Sequence, residues 1–305
     1  MPRHLTVIDD LTVGEATGIL REAAAMKARL KDGAAEPLLA GKTLAMIFEK
    51  PSTRTRVSFE VGMFQLGGHA LCLRPDEIGV GTREDVRDVA RVISHYCDLI
   101  MARTFLHATV TGLAEHASVP VINGLSDHEH PCQALGDLLT MQERFGDVAG
   151  RRLVFVGDGN NVARSLLWLC AKLGVAFRLV APAGYLLPQA DLDAVKAAMP
   201  DAAADQTEDL AGVEGADAVY TDVWASMGQE AEKERRREDF RDYQVNAALV
   251  ARANPEAVVM HCLPAHRGEE LTDEVIDGPQ SIVYDQAENR MHAQKAIMTF
   301  LVNTG

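Results

Sequence analysis

The sequence predicts an α/β protein of two domains, each a parallel sheet flanked by helices, with the two joined by interdomain helices. Three observations support this fold class. Short apolar runs typical of buried strands alternate with helical segments along most of the chain. The length of 305 residues exceeds what one hydrophobic core usually organises. A polar, glycine-containing stretch at Phe145–Arg152 separates two sets of elements, so we expect domains over residues 1–145 and 146–285.

The elements are predicted in chain order. The first helix begins near Thr12, because Thr12 and Glu15 form a capping-box pattern before the alanine-rich run to Leu30. The predicted strands are Thr43–Phe48, Ala70–Leu73, Leu99–Arg103 and Val119–Asn123 in the first set, and Leu153–Gly157, Ala176–Ala181, Ala218–Asp222, Val258–Cys262 and Ile282–Asp285 in the second. A last helix covers Asn289–Val302. The charge run Glu232–Asp239 is interpreted as a solvated surface segment.

Composition excludes several classes of protein. A net charge of -14 and a pI of ≈ 5.1 disfavour binding to nucleic acid or to anionic membranes, and an aromatic content of 5% offers few stacking platforms. The five cysteines are odd in number and form no C-x-x-C pair, which predicts free thiols in a reducing cytoplasm. We expect no signal peptide in MPRHLTVIDDLT and no membrane span.

The stretch FEKPSTRTRVSFE places hydroxyls and guanidiniums between a predicted strand and a predicted helix. Free backbone N–H groups and the helix dipole make such a helix start attractive to phosphate. Ser52, Thr53 and Thr55 can add hydrogen bonds, and Arg54 can grip two oxygens at once. The alternative is a capped helix with exposed arginines. The crowding of donors favours anion binding.

The stretch DHEHPCQALGD combines histidines with a helix start at Pro131. His130 just before the helix and Gln133 on its first turn can both donate to a carbonyl or carbamoyl-like group. A metal site on His128, His130 and Cys132 is a weaker alternative, since no carboxylate-and-histidine set accompanies it. Histidines on a surface loop are the remaining interpretation.

In VFVGDGNNVARS, the third glycine of the dinucleotide fingerprint is missing, because Val162 takes its place, and no acid follows at the usual distance. A nucleotide-linked oxidoreductase is therefore disfavoured. Asn160 and Asn161 at the helix start instead suit the polar groups of an amino-acid ligand.

The stretches YTDVWASMG and VVMHCLPAHRGEE each follow a predicted strand, where open α/β sheets bind ligands. Cys262 is either a reactive thiol or a buried structural one. As a nucleophile it needs a base, and strand alternation predicts that His261 points to the opposite side.

Together these stretches resemble the ornithine branch of the aspartate/ornithine carbamoyltransferase family over nearly the whole chain. The motifs FEKPSTRTRVSFE, ART, HPCQALGD, DVWASMG, HCLPAHRGEE and AENRMHAQKA stand in the family's order and spacing. The first and third are shared with aspartate carbamoyltransferases, whereas SMG and HCLP resemble the ornithine branch.

The resemblance implies a carbamoyl phosphate domain followed by an ornithine domain, with the terminal helices, including residues 286–305, packed on the first. It implies that carbamoyl phosphate is held by Ser52, Thr53, Arg54, Thr55, Arg103, His130, Gln133 and Arg290, and the amino-acid end of L-ornithine by Asn161, Asp222, Ser226 and Met227. Cys262 and Leu263 would lie at the reacting amine and carbamoyl group. The expected catalytic residues are Arg54, Arg103, His130 and Cys262.

Such an enzyme would convert carbamoyl phosphate and ornithine to citrulline and phosphate, without a metal or an organic cofactor. The resemblance also implies a homotrimer, or a multiple of trimers, with active sites at subunit interfaces. One loop departs from the family, which often has a glutamine or histidine there that reaches a neighbouring subunit. Gly79 stands at that position, and Arg83 or Glu77 are the candidate substitutes. The alternatives are another acceptor (putrescine, an acylated ornithine or aspartate) and a non-catalytic relative that only binds.

Overall fold

The computed structural model describes residues 2–80, 83–226 and 228–304, which fold into two compact units. Unit 1 contains the chain up to Leu139 together with the segment from Glu288 onward, and unit 2 is Thr140–Ala287. The domain limits predicted at residues 145 and 285, and the binding roles attached to them, stay predictions.

The elements alternate as the sequence predicts. The strands are β1 (Thr43–Phe48), β2 (His69–Leu73), β3 (Leu99–Arg103), β4 (Val121–Leu125), β5 (Arg152–Val156), β6 (Ala176–Val180), β7 (Ala204–Thr207), β8 (Ala218–Thr221) and β9 (Val258–His261). The helices are α1 (Val13–Lys31), α2 (Thr53–Gln65), α3 (Pro75–Ile78), α4 (Val86–Tyr96), α5 (His107–His116), α6 (Pro131–Phe145), α7 (Asn161–Lys172), α8 (Gln189–Ala198), α9 (Lys233–Phe240), α10 (Ala247–Val250), α11 (Asp273–Ile276) and α12 (Val283–Thr304).

Unit 1 contains a parallel sheet in the order β2-β1-β3-β4. Its central strands β1 and β3 are buried on both faces, and α4 and α5 pack their apolar sides on β3 and β4. The strand order reverses direction between β1 and β3, and ligands of open α/β sheets bind where the order reverses, at the carboxyl ends of the strands.

The terminal helices of unit 1 pack on each other. The Thr12 hydroxyl accepts from the backbone N–H of Glu15, which confirms the predicted capping box at the start of α1. The Lys27 ammonium of α1 donates to Asn289 Oδ1 of α12 at 2.6 Å and pairs with Glu288 at 3.1 Å. This buried cation ties the first helix to the last.

Unit 2 contains a second parallel sheet, in the order β7-β6-β5-β8-β9. Valine-rich strands form one side of its core, with the buried residues of α10 and α11 on the other. Here the order reverses between β5 and β8, so the loops after these two strands are the expected ligand positions. The two parallel sheets with their helices confirm the predicted fold class.

Two strand predictions were wrong. The segment Ile282–Asp285 lies at the start of α12 rather than in a strand, although Ile282 N still donates to Val259 O at 3.0 Å beside the sheet. The strand β7 was missed, because its sequence ADQT is mostly polar, as an edge strand allows. Among the described residues, no helix is long and apolar enough to cross a membrane.

Candidate functional site

The first part of the site is the start of α2, at the carboxyl end of β1. Ser52 caps the helix, since its Oγ accepts from Thr55 N at 3.3 Å and donates to Thr55 Oγ1 at 3.0 Å. The Thr55 side chain is buried, whereas Thr53 is exposed and Arg54 is half-buried on the same turn. Capping therefore fixes the turn and leaves Thr53 and Arg54 accessible to a ligand.

Arg103 and His130 lie at the ends of the two following strands of this sheet. Arg103 is the last residue of β3 and pairs in register with Phe48, so its guanidinium belongs to the same edge as the α2 start. His130 precedes α6, and both side chains are more than nine-tenths buried. Asn123 of β4 donates its amide to Glu129 O at 3.2 Å, which fixes the loop that carries His130.

Gln133 and Arg290 complete this group from two helices. Arg290 Nη1 donates to Gln133 Oε1 at 3.2 Å, and Gln133 Nε2 donates to Asp137 Oδ1 at 2.7 Å. Burial, together with the charges of Arg103 and Arg290, lowers the pKa of His130 well below its ordinary value. His130 is therefore a neutral hydrogen-bonding group between cations, suited to polarise a carbonyl oxygen without carrying charge itself.

In unit 2, Asp222 follows β8 and accepts three hydrogen bonds. Cys262 Sγ donates to Asp222 Oδ1 at 3.0 Å, the Val223 N–H donates to the same oxygen at 2.8 Å, and Asn160 Nδ2 donates to Oδ2 at 2.9 Å. Asn161 is the first residue of α7 and is half-buried. Asp222, Cys262 and the start of α7 thus lie together at the carboxyl edge of the second sheet, where the strand order reverses between β5 and β8.

The segment after β8 carries the remaining predicted contacts. Ser226 is half-buried, and it closes a turn in which its N–H donates to Gln229 Oε1 at 2.9 Å and its carbonyl accepts from Gln229 N at 3.0 Å. Met227 lies outside the described residues, so its predicted contact stays a prediction.

His261 does not point away from Cys262 as strand alternation predicts. A ring nitrogen of His261, Cys262 Sγ and an oxygen of Asp222 all lie within 4.8 Å of one another. The reason is that β9 ends at His261 and the chain turns back at Leu263, whose φ is 55°. His261 Nδ1 accepts the Leu263 N–H at 2.8 Å, and Nε2 lies 3.1 Å from Glu270 Oε1. Both ring nitrogens are engaged, so His261 is not placed to act as a base for Cys262.

The weaker metal interpretation of His128, His130 and Cys132 finds no support in the geometry. Within the described ranges, the groups whose ligand atoms come within 4.8 Å are Asp222 with His261 and Cys262, and His266 with Glu269 and Glu270. The Cys132 thiol instead donates to Asn123 O at 3.5 Å, and burial raises its pKa to about 12. A thiol with so high a pKa is a poor metal ligand.

The loop that departs from the family pattern is engaged within its own chain. Gly79 has a φ of 54°, a conformation that glycine adopts readily, and its carbonyl accepts from Arg83 N at 2.8 Å. Arg83 Nη1 donates to Glu77 O at 3.2 Å, and Glu77 Oε2 accepts from Arg74 N at 2.8 Å. The roles of Arg83 and Glu77 toward a neighbouring subunit stay predictions.

Sequence reasoning missed a buried ion pair behind the Asp222 site. Arg236, from the charge run interpreted as solvated surface, is buried on α9 and donates to Asp158 Oδ2 and to Trp224 O, each at 2.8 Å. Burial raises the pKa of Asp158, and the Arg236 guanidinium opposes that shift. The interpretation was wrong for this residue because only the fold brings Asp158 to it. The signal in the sequence was Phe240, an apolar residue that follows the run directly and stands four positions after Arg236.

Comparison with known proteins agrees with this geometry. A family model described as the carbamoyl-P binding domain of aspartate/ornithine carbamoyltransferase matches residues 3–143, and one described as the Asp/Orn binding domain matches residues 149–301. The chain belongs to the aspartate/ornithine carbamoyltransferase family.

Relatives within the family cover nearly the whole chain. Ornithine carbamoyltransferase of Pyrococcus abyssi is 52% identical over 98% of this chain and 96% of its own length. The protein named anabolic ornithine carbamoyltransferase in Pyrococcus furiosus is also 52% identical, with the same coverage. The solved structure of ornithine carbamoyltransferase from Pyrococcus furiosus superposes with a TM-score of 0.94 over 97% of this chain and 96% of that one. These relatives confirm the predicted family and its ornithine branch.

Proposed function

We propose that this protein transfers the carbamoyl group of carbamoyl phosphate to the δ-amine of L-ornithine, which gives L-citrulline and phosphate. The observation that carries the proposal is the buried group of Arg103, His130, Gln133 and Arg290 at the sheet edge of unit 1, the region that matches the carbamoyl phosphate-binding domain. The named relatives at 52% identity support ornithine as the acceptor. The name of one relative supports the biosynthetic direction.

In unit 1, the α2 start and the buried guanidiniums hold the donor substrate. Ser52, Thr53, Arg54 and Thr55 offer hydroxyl, backbone and guanidinium donors to the phosphate at a helix N-terminus. The neutral His130 donates to the carbamoyl oxygen beside Arg103 as negative charge develops there during attack. Because these donors are held by buried contacts before the reaction, little reorganisation is needed in the transition state.

In unit 2, acidic and amide groups hold the acceptor. Asp222, Asn161, Ser226 and Met227 bind the amino-acid end of ornithine. The δ-amine, once neutral, forms a bond to the carbonyl carbon, and the bond from that carbon to the phosphate oxygen breaks. The amine loses one proton overall, and the Cys262–Asp222 pair is its first acceptor before the leaving phosphate takes it up. No metal ion or organic cofactor is required, since the acyl group arrives activated.

The rival acceptor substrates differ from ornithine in the groups that lie away from the reacting amine. Putrescine lacks the α-amino acid group, and an acylated ornithine lacks the free α-amine that an acidic side chain such as Asp222 attracts. Aspartate carries a second carboxylate, which the buried Asp222 would repel. A binding-only relative is disfavoured, because Arg54, His130, Cys262 and the rest of the reactive groups are all present.

We propose that the chain assembles as a homotrimer through unit 1. An apolar stripe supports this assembly: Val57, Val61 and Phe64 share one exposed face of α2, and Phe64 is 80% exposed. Leu71 on the edge strand β2 is also exposed beside that helix. A Phe64→Glu variant should lower the measured mass of the particle in light scattering, whereas retention of the oligomer would count against this interface.

We also place the protein in a reducing cytoplasm. The cysteines form no disulfide, and Cys97, Cys132 and Cys170 are buried within the two cores.

The test of the function is citrulline formation by the purified protein with carbamoyl phosphate and L-ornithine, with putrescine, N-acetylornithine and aspartate in parallel. Arg54→Ala should lower kcat/KM by about 100-fold or more. Arg91→Ala is the control, since Arg91 is an exposed arginine on α4 whose nearest acidic partner is Asp88 at 3.9 Å. Turnover with a different amine, or equal rates for both variants, would overturn the proposal.

A further inference from the structure

The turn after β9 holds a leucine in an unusual backbone conformation. Leu263 has a φ of 55°, in the left-handed region that glycine enters freely and leucine rarely does. A residue stays in that region only when its surroundings hold it there. The neighbouring Cys262 donates to Asp222, so the geometry of this turn also sets the direction of the thiol.

The contact that holds Leu263 comes from the side chain of His261. Its Nδ1 accepts the Leu263 N–H at 2.8 Å, which requires a bare lone pair on Nδ1. Its Nε2 lies 3.1 Å from Glu270 Oε1, an acceptor that requires the ring proton on Nε2. The two contacts together select one tautomer of a neutral ring.

Glu270 is itself held through its Oε1 atom and its backbone. Both His261 and Glu270 are fully buried, and Glu270 Oε1 also accepts from the His266 N–H. The backbone carbonyl of Glu270 accepts from Val245 N at 2.8 Å, and the backbone N–H of His261 donates to Gln286 Oε1 at 2.9 Å. The ring therefore has little freedom to move, and its position is transmitted to the turn.

We propose that His261, oriented by Glu270, is a positioning residue for carbamoyl transfer: its Nδ1 holds the Leu263 N–H and so fixes the left-handed turn that aims Cys262 and Leu263. This inference rests on the proposed function, in which those two residues lie at the reacting groups. Without the acceptor on Nδ1, Leu263 relaxes to a negative φ, and the peptides on either side rotate away from their working positions.

Two substitutions separate the two ends of the ring. In His261→Asn, the amide oxygen takes the place of Nδ1 and still accepts the Leu263 N–H. In His261→Gln, the amide nitrogen takes the place of Nε2 and keeps Glu270, but the acceptor for Leu263 is lost. His261→Gln should lower kcat by about 100-fold with a small change in KM for carbamoyl phosphate, since an error of about 1 Å at the reacting centre has that effect. His261→Asn should recover most of that loss and lie within about fivefold of the wild type.

Glu270 and its neighbour provide a matched pair. Glu270→Ala removes the partner of Nε2 and should lower kcat, whereas Glu269→Ala should not, because Glu269 is half-buried and pairs with Arg237 and Lys233. A purely structural role for His261 predicts equal losses of kcat and of thermal stability for its Asn and Gln variants. That result, or full activity of His261→Gln, would overturn the proposal.

Hydrogen exchange of the Leu263 amide gives a readout that does not depend on turnover. In the substrate-free protein, exchange should accelerate in His261→Gln and stay near the wild-type rate in His261→Asn. If the wild-type protein forms no citrulline but the two variants show this exchange pattern, the proposed function is refuted and the hydrogen bond from Leu263 N–H to His261 Nδ1 is still supported. Equal exchange in both variants would refute the contact whatever the activity.

Discussion

The close approach of α6 and α12 at Gly136 predicts an unusual response to a common stabilising substitution. A Cβ atom at position 136 would lie 2.9 Å from Arg290 Cα and 3.1 Å from Arg290 N. Ordinary van der Waals contact begins near 3.4 Å, so the two helices must separate by about 0.5 Å. Both atoms belong to the backbone, so no side chain can turn aside to make room.

Gly136→Ala should therefore destabilise the protein although alanine favours helix. Overpacking of this kind lowers the free energy of unfolding by about 1–3 kcal/mol. Because Arg290 is the residue displaced, its 3.2 Å hydrogen bond to Gln133 should lengthen. We expect KM for carbamoyl phosphate to rise by about tenfold, an effect smaller than that of a 1 Å error.

The matched control is Gly18→Ala on α1, where no atom lies within 4 Å of the added Cβ. This variant should gain up to about 1 kcal/mol from helix propensity alone and leave KM unchanged. Stability is measured by urea denaturation and KM by initial rates at varied carbamoyl phosphate. Equal stabilisation of both variants, with KM unaffected at Gly136, would refute the reasoning about the α6–α12 contact.

Three further predictions concern charge and thiol groups. Because the pKa of His130 is lowered in the folded state, the unfolded chain binds a proton that the folded protein does not. The free energy of unfolding should therefore fall as the pH drops below about 6.5, by up to about 1.4 kcal/mol per pH unit. In urea denaturation, His130→Asn should reduce this dependence on pH. Arg236→Met leaves the buried Asp158 carboxylate unpaired, so the loss of stability should reach about 3 kcal/mol at pH 8. The loss should shrink as the pH falls, because Asp158, whose pKa is already raised, then takes up a proton and loses its charge. A pH-independent loss would contradict this account. Iodoacetamide should inactivate the protein by alkylating the half-buried Cys262, and ornithine should protect against this inactivation. The Cys72→Ser variant should stay sensitive to iodoacetamide, whereas the Cys262→Ser variant should lose no further activity.

The local chemistry of the chain predicted the elements that depend on short-range pattern. The strand Thr43–Phe48 and the capping box at Thr12 follow from apolar runs and side-chain caps that neighbouring residues determine. The segment Ile282–Asp285 was mistaken for a strand because a short apolar run looks the same in either structure. Ser281, the residue before this segment, does form a β-bridge with Val259, so the chain leaves the sheet directly before the predicted strand.

The partners within the site could not be predicted, because they depend on the meeting of distant segments. Asn160 and Asn161 are equal in the sequence, yet Asn160 both caps α7 and donates to Asp222. Nothing local indicates that Arg236 is buried against Asp158 or that His261 turns back to Leu263. The sequence predicted only residue types, since phosphate and amino-acid ligands limit which types can bind them, and the binding roles of these residues stay predictions.

The distribution of charge is compatible with the proposed binding of carbamoyl phosphate by so acidic a chain. With a net charge of -14, the overall field repels phosphate, so affinity must come from cations shielded from that field. Arg103 and Arg290 meet this need, because buried charges are screened little by salt and act at short range. Two buried cations next to a histidine would repel a third positive charge, and the low pKa of His130 removes that charge. In the proposed function, the site thus attracts phosphate through its arginines and offers an uncharged donor, His130, to the carbamoyl oxygen, and a charged side chain in place of His130 would weaken one or the other.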